Sequence, residues 1–482
     1  MIERGLASTR REWNDYSVVN SPYEGSNKLR QYVERFDTLS FFNHYAGMLS
    51  YFYILGQMLA PYVRIPIHGA YIDSRLHVFW IQASRSGKSI AYEFTAKILK
   101  LCGIESEKFS AGSDSKLIGS VIETPKVDED GKRVGGVDFE VVPGLLNGYK
   151  TLLFDEGSIL LDDSKSYFSQ KILFLQQAMA PIGSETNVLV NHLKGASIYT
   201  PSGISLWATT FPPKDIMHHV LEKGFFQRVF LYQNDVNLET RQTTSEHRMS
   251  GVYVPVPEQV WSYEEISNWI IGMRDDVRDR LFTVAGIDQD QWDSMSEEQR
   301  EEVAVNHSHM LFSIGPNYHA ALLSAVDDYY DLVKTVSDGN VRETAISFLP
   351  NVENYTIIFS NMIAATMGTN VITAEHISMA SEIIYDNLHN LIIWLEQKRD
   401  YKASRERQAD VRAWKQAFAG CKRQVHDRTK KEVVRKTELQ TRYAALNAVS
   451  VKTAERRLSK LIENKLSVMV KEGRNVYVSL EV

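Results

Sequence analysis

The residues with the clearest chemistry form a short loop that ends in Gly87, Lys88 and Ser89. The loop ASRSGKS follows the run HVFWIQ, which is typical of a buried strand, and precedes the helical pattern SIAYEFTAKILKLC. A strand, a tight loop and a helix in this order are the context of a Walker A phosphate loop. Loop N–H groups and the helix N-terminus bind phosphate, Lys88 reaches the β- and γ-phosphates, and Ser89 is a ligand of Mg²⁺. The predicted nucleotide-binding residues are Ser84, Arg85, Ser86, Gly87, Lys88 and Ser89.

One position departs from the Walker A pattern. Gln82 stands where G-x-x-x-x-G-K-[ST] has its first glycine. A chance GKS at the start of a helix is the alternative, and the tripeptide alone does not exclude it. The flanking strand and helix favour the phosphate loop.

A second motif, TLLFDEG, is an apolar strand that ends in Asp155 and Glu156. At the carboxyl edge of a parallel sheet, such acids lie beside the phosphate loop. Asp155 is the predicted carboxylate ligand of Mg²⁺, and Glu156 is predicted to orient and polarise the attacking water. A solvated turn is the alternative, but the pair follows a phosphate loop, so we interpret it as Walker B.

Two further sites lie downstream. GISLWATTFPP predicts a third buried strand ending in Thr209 and Thr210, where an ATPase sheet places a sensor of the γ-phosphate; Thr210 is the catalytic candidate. GFFQRVFLY places Arg228 alone in an apolar run. Arg228 is either a buried structural ion pair or an arginine finger that acts on the phosphoryl group of a neighbouring subunit.

The elements that must position these residues fall into five predicted segments. FFNHYAGMLSYFYILGQMLAPYV is apolar on all sides and contains polar residues, which predicts a buried core helix rather than a membrane span. Residues 236–305 are predicted to be polar and irregular, with DQDQWDSMSEEQREE exposed. The segments are a helical N-terminal segment (1–75), an α/β core (76–235), an insertion followed by a helical lid (236–400), a charged connector (401–425) and a winged helix (426–482).

Composition excludes several classes of protein. The only cysteines among the 482 residues are Cys102 and Cys421, too few for a disulfide framework or a zinc site of several thiolates. The 13 histidines are scattered, so we predict no metal beyond Mg²⁺. The start MIERGLASTRREWNDY lacks the apolar region of a signal peptide, and no apolar run is long enough to span a bilayer. We expect a cytoplasmic protein with no membrane partner.

The net charge of −6 conceals an asymmetry. Residues 401–482 carry 20 Lys and Arg against 9 Asp and Glu, a balance of +11, which leaves −17 for residues 1–400. A basic terminal piece on an acidic body indicates that the tail meets a polyanion; a solvated linker with a soluble helix pair is the alternative.

The basic tail has the pattern of a winged helix. A helix at 437–447 is followed by a second helix that Ser450 can cap, with Val451, Ala454 and Leu458 on its buried face. LSVMVKEGRNVYVSL then alternates around a turn, which predicts a β-hairpin wing. A winged helix can also bind protein, but the charge favours DNA. The predicted DNA contacts in this tail are Lys452, Arg456, Arg457, Lys460, Lys471 and Arg474.

The order of these features resembles the ATPase domain of the MCM replicative helicases, in the AAA+ class. The resemblance covers residues 80–235. SAGSDSKLIGSVIE followed by EVVPGLLNGYKTLLFDEG is similar to the family's helix-2 insert, whose hairpin would span 123–141 with its turn at 128–131. LQQAMAPIGSETNVLVNHLKGASIYTPSGISLWATT is similar to the pre-sensor-1 hairpin and sensor-1 strand, with Lys194 at the hairpin tip.

The resemblance implies an α/β P-loop AAA+ domain with a helical N-terminal segment, a helical lid and a C-terminal winged helix. It implies ATP and Mg²⁺ as cofactors, DNA as a partner and a homo-oligomeric ring, a hexamer, in which Arg228 is the arginine finger and Lys194 touches DNA in the channel. It also implies contacts with primase or other replication proteins. The corresponding activity is ATP-dependent DNA unwinding or translocation in replication.

The chain departs from the MCM pattern in three places. Its first 75 residues cannot supply the MCM amino-terminal tier, and no arginine stands at 350–353, where sensor 2 falls, so Arg342 is a substitute candidate. Thr209 or Thr210 replaces the sensor-1 asparagine. The trimmed form looks more like a virus or mobile-element helicase. The alternative function is a nucleotide-switch DNA-binding initiator or regulator that unwinds nothing; the hairpin with Lys194 favours the helicase.

Overall fold

The computed structural model describes residues 11–39, 43–83, 86–108, 114–127, 133–160, 171–193, 196–212, 224–234, 238–251, 260–426, 431–463, 467–472 and 475–480. They form two compact units, Met1–Trp394 and Leu395–Val482.

The strands of the first unit form one large sheet and four small two-stranded pairs. Their bounds are β1 Arg64–Ile67, β2 Ala70–Asp73, β3 Val78–Gln82, β4 Ser106–Lys108, β5 Gly119–Val127, β6 Arg133–Pro143, β7 Thr151–Phe154, β8 Val188–Leu193, β9 Ala196–Pro201, β10 Ser205–Thr210, β11 Phe230–Asn234, β12 Ser313–Ile314 and β13 Val371–Ile372.

The large sheet has five strands in the order β11-β3-β10-β7-β4, and every neighbouring pair is parallel. Every residue of β3, β7 and β10 is buried, which explains why these strands read as continuous apolar runs. The predicted α/β class is therefore confirmed, and the sheet is compatible with a P-loop domain. Because the strands are parallel, the residues that follow β3, β7 and β10 meet at one edge.

The helices of the first unit surround this sheet. Their bounds are α1 Glu24–Asp37, α2 His44–Leu59, α3 Lys88–Leu101, α4 Asp114–Ile118, α5 Lys171–Ala178, α6 Leu238–Ser250, α7 Tyr263–Ala285, α8 Gln289–Ser294, α9 Glu297–His307, α10 Tyr318–Lys334, α11 Gly339–Thr366 and α12 Ala374–Ala419, of which residues up to 394 belong to this unit.

Helix α2 is the predicted buried helix, and all of its residues after His44 are buried. Two glycines allow close packing, since a Cβ at Gly47 would meet the Phe36 ring and one at Gly56 would meet the Ser74 carbonyl. The helix ends two residues before Pro61. Among the helices that the structure describes, none has the length and apolarity needed to cross a membrane.

The prediction that 236–305 is irregular was wrong. This stretch contains α7, α8 and α9, and each of these helices begins with a capping box, at Ser262, Asp288 and Ser296. In a capping box the first side chain and the residue three positions later satisfy each other's backbone N–H groups, which stabilises a helix of polar sequence. Glu301 also pairs with the buried Arg64 guanidinium, so this stretch packs on the N-terminal segment.

Two hairpins lie in the chain between strands of the large sheet, β5–β6 between β4 and β7 and β8–β9 between β7 and β10. Strands β5 and β6 pair antiparallel from Gly119↔Pro143 to Val127↔Arg133, so this hairpin is longer than the predicted 123–141. Strands β8 and β9 pair antiparallel from Val188↔Pro201 to Leu193↔Ala196. Both hairpins were predicted, whereas Lys194 and residues 128–131 lie outside the described residues.

In the described residues, the second unit combines the end of α12 and two further helices with a four-stranded sheet. Trp414 and Tyr443 stack at 3.7 Å in its core, and Ser450 Oγ accepts from the Thr453 N–H at 3.1 Å, as predicted for a cap. Ala454 and Leu458 are buried as predicted, but Val451 is exposed because it lies in the first turn, beyond the core. The elements are α13 Lys436–Leu446, α14 Val451–Glu463, and strands β14 Gln424–Val425, β15 Glu432–Arg435, β16 Ser467–Glu472 and β17 Asn475–Leu480, in the order β14-β15-β17-β16.

Candidate nucleotide site

The phosphate-loop segment joins the end of β3 to the start of α3. Gly87 is the N-cap residue of α3 and has φ of +88°, a left-handed conformation that glycine adopts without strain. Ser86 is buried, Lys88 is half-buried and Ser89 is exposed. Ser84 and Arg85, two predicted binding residues, lie outside the described residues. The described part has the strand–loop–helix order that the motif predicts.

The Lys88 ammonium lies over the loop. Its Nζ donates to the Gln82 carbonyl at 2.7 Å and to the Ala83 carbonyl at 2.8 Å. Burial lowers the pKa of Lys88 below its ordinary value, whereas the carboxylates of Glu156 and Asp155 act in the opposite direction. The two acids therefore lie within electrostatic reach of the lysine, although they follow it by more than sixty positions.

The acids and the two threonines form the adjacent part of the same edge. Strand β10 lies between β3 and β7, with Ala208 opposite Phe154. Thr209 Oγ1 donates to the Asp155 backbone carbonyl at 2.7 Å, whereas Thr210 Oγ1 donates to Glu156 Oε1 at 2.8 Å. The Ser158 N–H also donates to Glu156 Oε1 at 3.1 Å. The Glu156 carboxylate is thus held by two donors, and Thr210 is the threonine that touches it.

The oxygen ligands predicted for Mg²⁺ are both accessible. The hydroxyl-bearing Ser89 lies in the first turn of α3 and Asp155 follows β7, and both residues are exposed. A hydroxyl and a carboxylate fit the preference of Mg²⁺ for oxygen, and nucleotide phosphates and water would supply its other ligands. Within the described ranges, no group of three or more His, Cys, Asp or Glu could hold a metal by itself.

Sequence reasoning missed four side chains beside the loop. Trp80 and Gln82 of β3, Asn43 at the start of α2 and Asn234 at the end of β11 are connected to one another or to Ser86 by hydrogen bonds. A glutamine in place of the first Walker A glycine was the only signal in the sequence, because the asparagines come from distant segments.

A further cation, Arg241, was also missed. It is an exposed residue of α6, the helix after β11, and its charge lowers the pKa of Lys88 in addition to the larger effect of burial. Since β11 pairs with β3 and Asn234 lies opposite Gln82, α6 leaves the sheet at the edge that carries the loop. The described site therefore has a second positive side chain.

Arg228 lies at the opposite edge of the sheet. It precedes β11, whose first residue Phe230 pairs with Val78, the first residue of β3. The side chain is exposed, and its Nη1 donates to the Gly224 carbonyl at 3.2 Å. The alternative of a buried ion pair is therefore wrong. Arg342, the candidate substitute for the sensor-2 arginine, is an exposed residue of α11.

The predicted DNA contacts are only partly described. Lys452, Arg456 and Arg457 are exposed residues of α14, and Arg457 Nη1 donates to the Tyr443 hydroxyl at 3.0 Å. The same helix carries Glu455, which pairs with Lys436 at 3.0 Å. Lys460 and Lys471 belong to a described helix and strand, but their side chains and the whole of Arg474 lie outside the described part of the chain.

The sequence matches no model of a known protein family, and no curated protein matches it either.

Proposed function

We propose that this chain is an AAA+ ATPase that unwinds DNA or translocates along it. In this proposal the chain acts as a homo-oligomeric ring, a hexamer. The observation that carries the ATPase part is the edge shared by Lys88, Thr210 and Glu156. Three separate strands bring a lysine over a loop, a hydroxyl and a carboxylate to one place, and the carboxylates act electrostatically on the lysine. This is the arrangement that hydrolysis of a nucleoside triphosphate requires.

Each group has a defined role in this proposal. The N–H groups at the start of α3 and the Lys88 ammonium bind the triphosphate, and Glu156, aligned by Thr210, orients the attacking water. Ser89 and Asp155 would hold Mg²⁺, which neutralises charge on the phosphates when bound. Arg241 adds a second cation on the same face.

The position of Arg228 supports a ring. Strand β3 rises by four residue steps, about 13 Å, from Val78 to Gln82, and Arg228 precedes Phe230, which lies beside Val78. Arg228 is therefore at the end of the sheet opposite to its own phosphate loop. It can meet a phosphoryl group if a neighbouring subunit presents its loop there, as in a head-to-tail ring.

Two features favour DNA as the partner. The first unit contains the antiparallel hairpins β5–β6 and β8–β9, and a ring would place such hairpins in its channel. The second unit contains α13, α14 and a β-hairpin, β16–β17, within a strongly basic tail. Basic residues of such a fold bind phosphates of duplex DNA.

The test combines steady-state ATPase with strand displacement on a forked DNA. The wild type is expected to do both, and Lys88→Ala neither. Lys194→Ala should keep basal ATPase but lose displacement and stimulation by single-stranded DNA. ATP hydrolysis without any displacement by the wild type would instead support the switch-type initiator or regulator, and absence of ATP binding would refute the whole proposal.

A further inference from the structure

The carbonyl oxygen of Ser86, in the phosphate-loop segment, accepts hydrogen bonds from two side-chain amides. Gln82 Nε2 donates to it at 3.0 Å and Asn43 Nδ2 at 2.9 Å. The three residues are buried, with exposed fractions of 1% for Gln82, 2% for Asn43 and 7% for Ser86. A carbonyl oxygen has two lone pairs, so these donors saturate it. The carbonyl is therefore held towards the interior.

Both amides are themselves held in place. The Trp80 indole N–H donates to Gln82 Oε1 at 2.8 Å, which fixes the carboxamide with its NH₂ group towards Ser86. Asn234 Nδ2 donates to Asn43 Oδ1 at 3.3 Å and orients that amide in the same way. Of the two donors to Ser86, Gln82 belongs to β3 and Asn43 immediately precedes α2. Asn234, which orients Asn43, is the last residue of β11.

The Ser86 carbonyl belongs to the same peptide unit as the Gly87 N–H. A trans peptide is planar and holds its C=O and N–H antiparallel, and the described backbone contains no cis bond. Fixing the carbonyl towards Gln82 and Asn43 therefore directs the Gly87 N–H away from them. Gly87, with φ of +88°, imposes little steric preference on that peptide, so the hydrogen bonds decide its orientation.

We propose that Gln82 and Asn43 form an amide clamp that orients the Ser86–Gly87 peptide so that the Gly87 N–H faces the terminal phosphates of a bound nucleoside triphosphate. The inference rests on the proposed function and adds two positioning residues to it. Without the clamp the peptide can rotate and turn a carbonyl oxygen towards the phosphates, which repels them. Gln82 thereby performs a task that a glycine at its position cannot perform.

The clamp predicts a selective loss of phosphate affinity. Gln82→Leu removes one donor, and we expect the dissociation constants for ATP and for inorganic tripolyphosphate to rise by the same factor, about tenfold. Asn43→Leu should act similarly. The matched control is Gln57→Leu, because Gln57 is also a buried glutamine whose amide donates to two carbonyls, of Lys150 and Gly203, away from the loop. The control should leave tripolyphosphate affinity within twofold of the wild type.

The variant Gln82→Glu gives a pH dependence of tripolyphosphate affinity that a purely structural role of Gln82 would not produce. In Gln82→Glu the neutral acid can still donate an O–H to the Ser86 carbonyl, whereas the carboxylate repels it. The ratio of variant to wild-type affinity for tripolyphosphate should therefore be near one at low pH and fall as pH rises through the pKa of the new carboxyl, which burial raises. Gln82→Leu and Gln57→Glu should show no such pH-dependent ratio.

The outcomes separate the two proposals. Three results together would show that the clamp is wrong and that the phosphate loop stands. They are binding of tripolyphosphate by the wild type, loss of that binding in Lys88→Ala, and wild-type affinity in folded Gln82→Leu. A ratio of Gln82→Glu to wild-type affinity that does not change with pH also overturns the clamp. This measurement alone tests the clamp if Gln82→Leu does not fold. If the wild type binds neither ATP nor tripolyphosphate, the proposed function fails and the clamp with it.

Discussion

The Thr210 hydroxyl donates to Glu156 Oε1 at 2.8 Å, linking the ends of two adjacent parallel strands. Thr210 is fully buried, whereas Glu156 is exposed. A rigid buried donor therefore fixes one oxygen of an accessible carboxylate. In the proposed mechanism, this bond sets the direction in which Glu156 holds the attacking water.

Thr210→Val should lower kcat for ATP about tenfold or more while leaving KM within about twofold, because a misaligned water-orienting group affects the chemical step rather than binding. Valine preserves the shape of threonine without the hydroxyl. Thr210→Ser restores the donor and should recover most of the rate. Equal rates for the wild type and the valine variant would show that the bond has no part in hydrolysis.

Arg228→Ala and Lys88→Ala should each be inactive as ATPases, and mixing them should restore part of the activity. A mixed ring contains interfaces with an intact Lys88 on one subunit and an intact Arg228 on the other, about a quarter of the total in an equal random mixture. The measurement is ATPase after subunit exchange, confirmed with differently labelled subunits. Exchange without any recovery would place Arg228 outside the neighbour's site.

The double variant Lys452→Ala/Arg456→Ala should bind duplex DNA with a weaker salt dependence. Removing one lysine or arginine that neutralises a DNA phosphate reduces the slope of log K against log salt by about 0.9, so the two substitutions predict a change of about 1.8. Lys334→Ala is the control, because Lys334 is an exposed lysine of the first unit paired with Asp331. An unchanged slope in the double variant would indicate that the second unit binds protein.

The pH dependence of the stability of the first unit should come in part from His77. Burial, with a smaller contribution from the Arg75 charge, lowers the pKa of this imidazole to about 3. The folded state keeps His77 neutral while the unfolded chain protonates near pH 6.5, so stability is present above that pH and is lost as pH falls towards 3.

The measurement for His77 is urea unfolding followed by circular dichroism. Between pH 6.5 and 5 the free energy of unfolding should fall by about 2 kcal/mol more in the wild type than in His77→Asn. Asparagine cannot titrate, but its oxygen can replace Nδ1 as the acceptor of the Leu206 N–H. An equal fall in the free energy of unfolding in the wild type and in His77→Asn would contradict the neutral, buried state assigned to His77.

The local sequence determined the parts of the site that lie within one strand–loop–helix unit. The run before Lys88 and the run before Asp155 and Glu156 are buried β-strands because their residues are apolar and β-branched or aromatic, and both were predicted with the acids at the strand end. The buried helix α2 and the β8–β9 hairpin also follow from local patterns, whereas the β5–β6 hairpin was predicted from the resemblance to MCM helicases. The roles of these residues in catalysis and DNA binding stay predictions.

Only the tertiary structure decided which distant groups meet. We predicted Thr210 as the catalytic candidate, but the sequence contained no contact that separates it from Thr209. Neighbouring residues of a strand point to opposite faces, and in the structure Thr210 reaches the Glu156 carboxylate whereas Thr209 donates to the Asp155 backbone carbonyl. Asn43 precedes Ser86 by 43 positions, and Asn234 follows Asn43 by 191. No local pattern encodes such a contact, because it arises from the order in which parallel strands and the helix α2 pack around the loop.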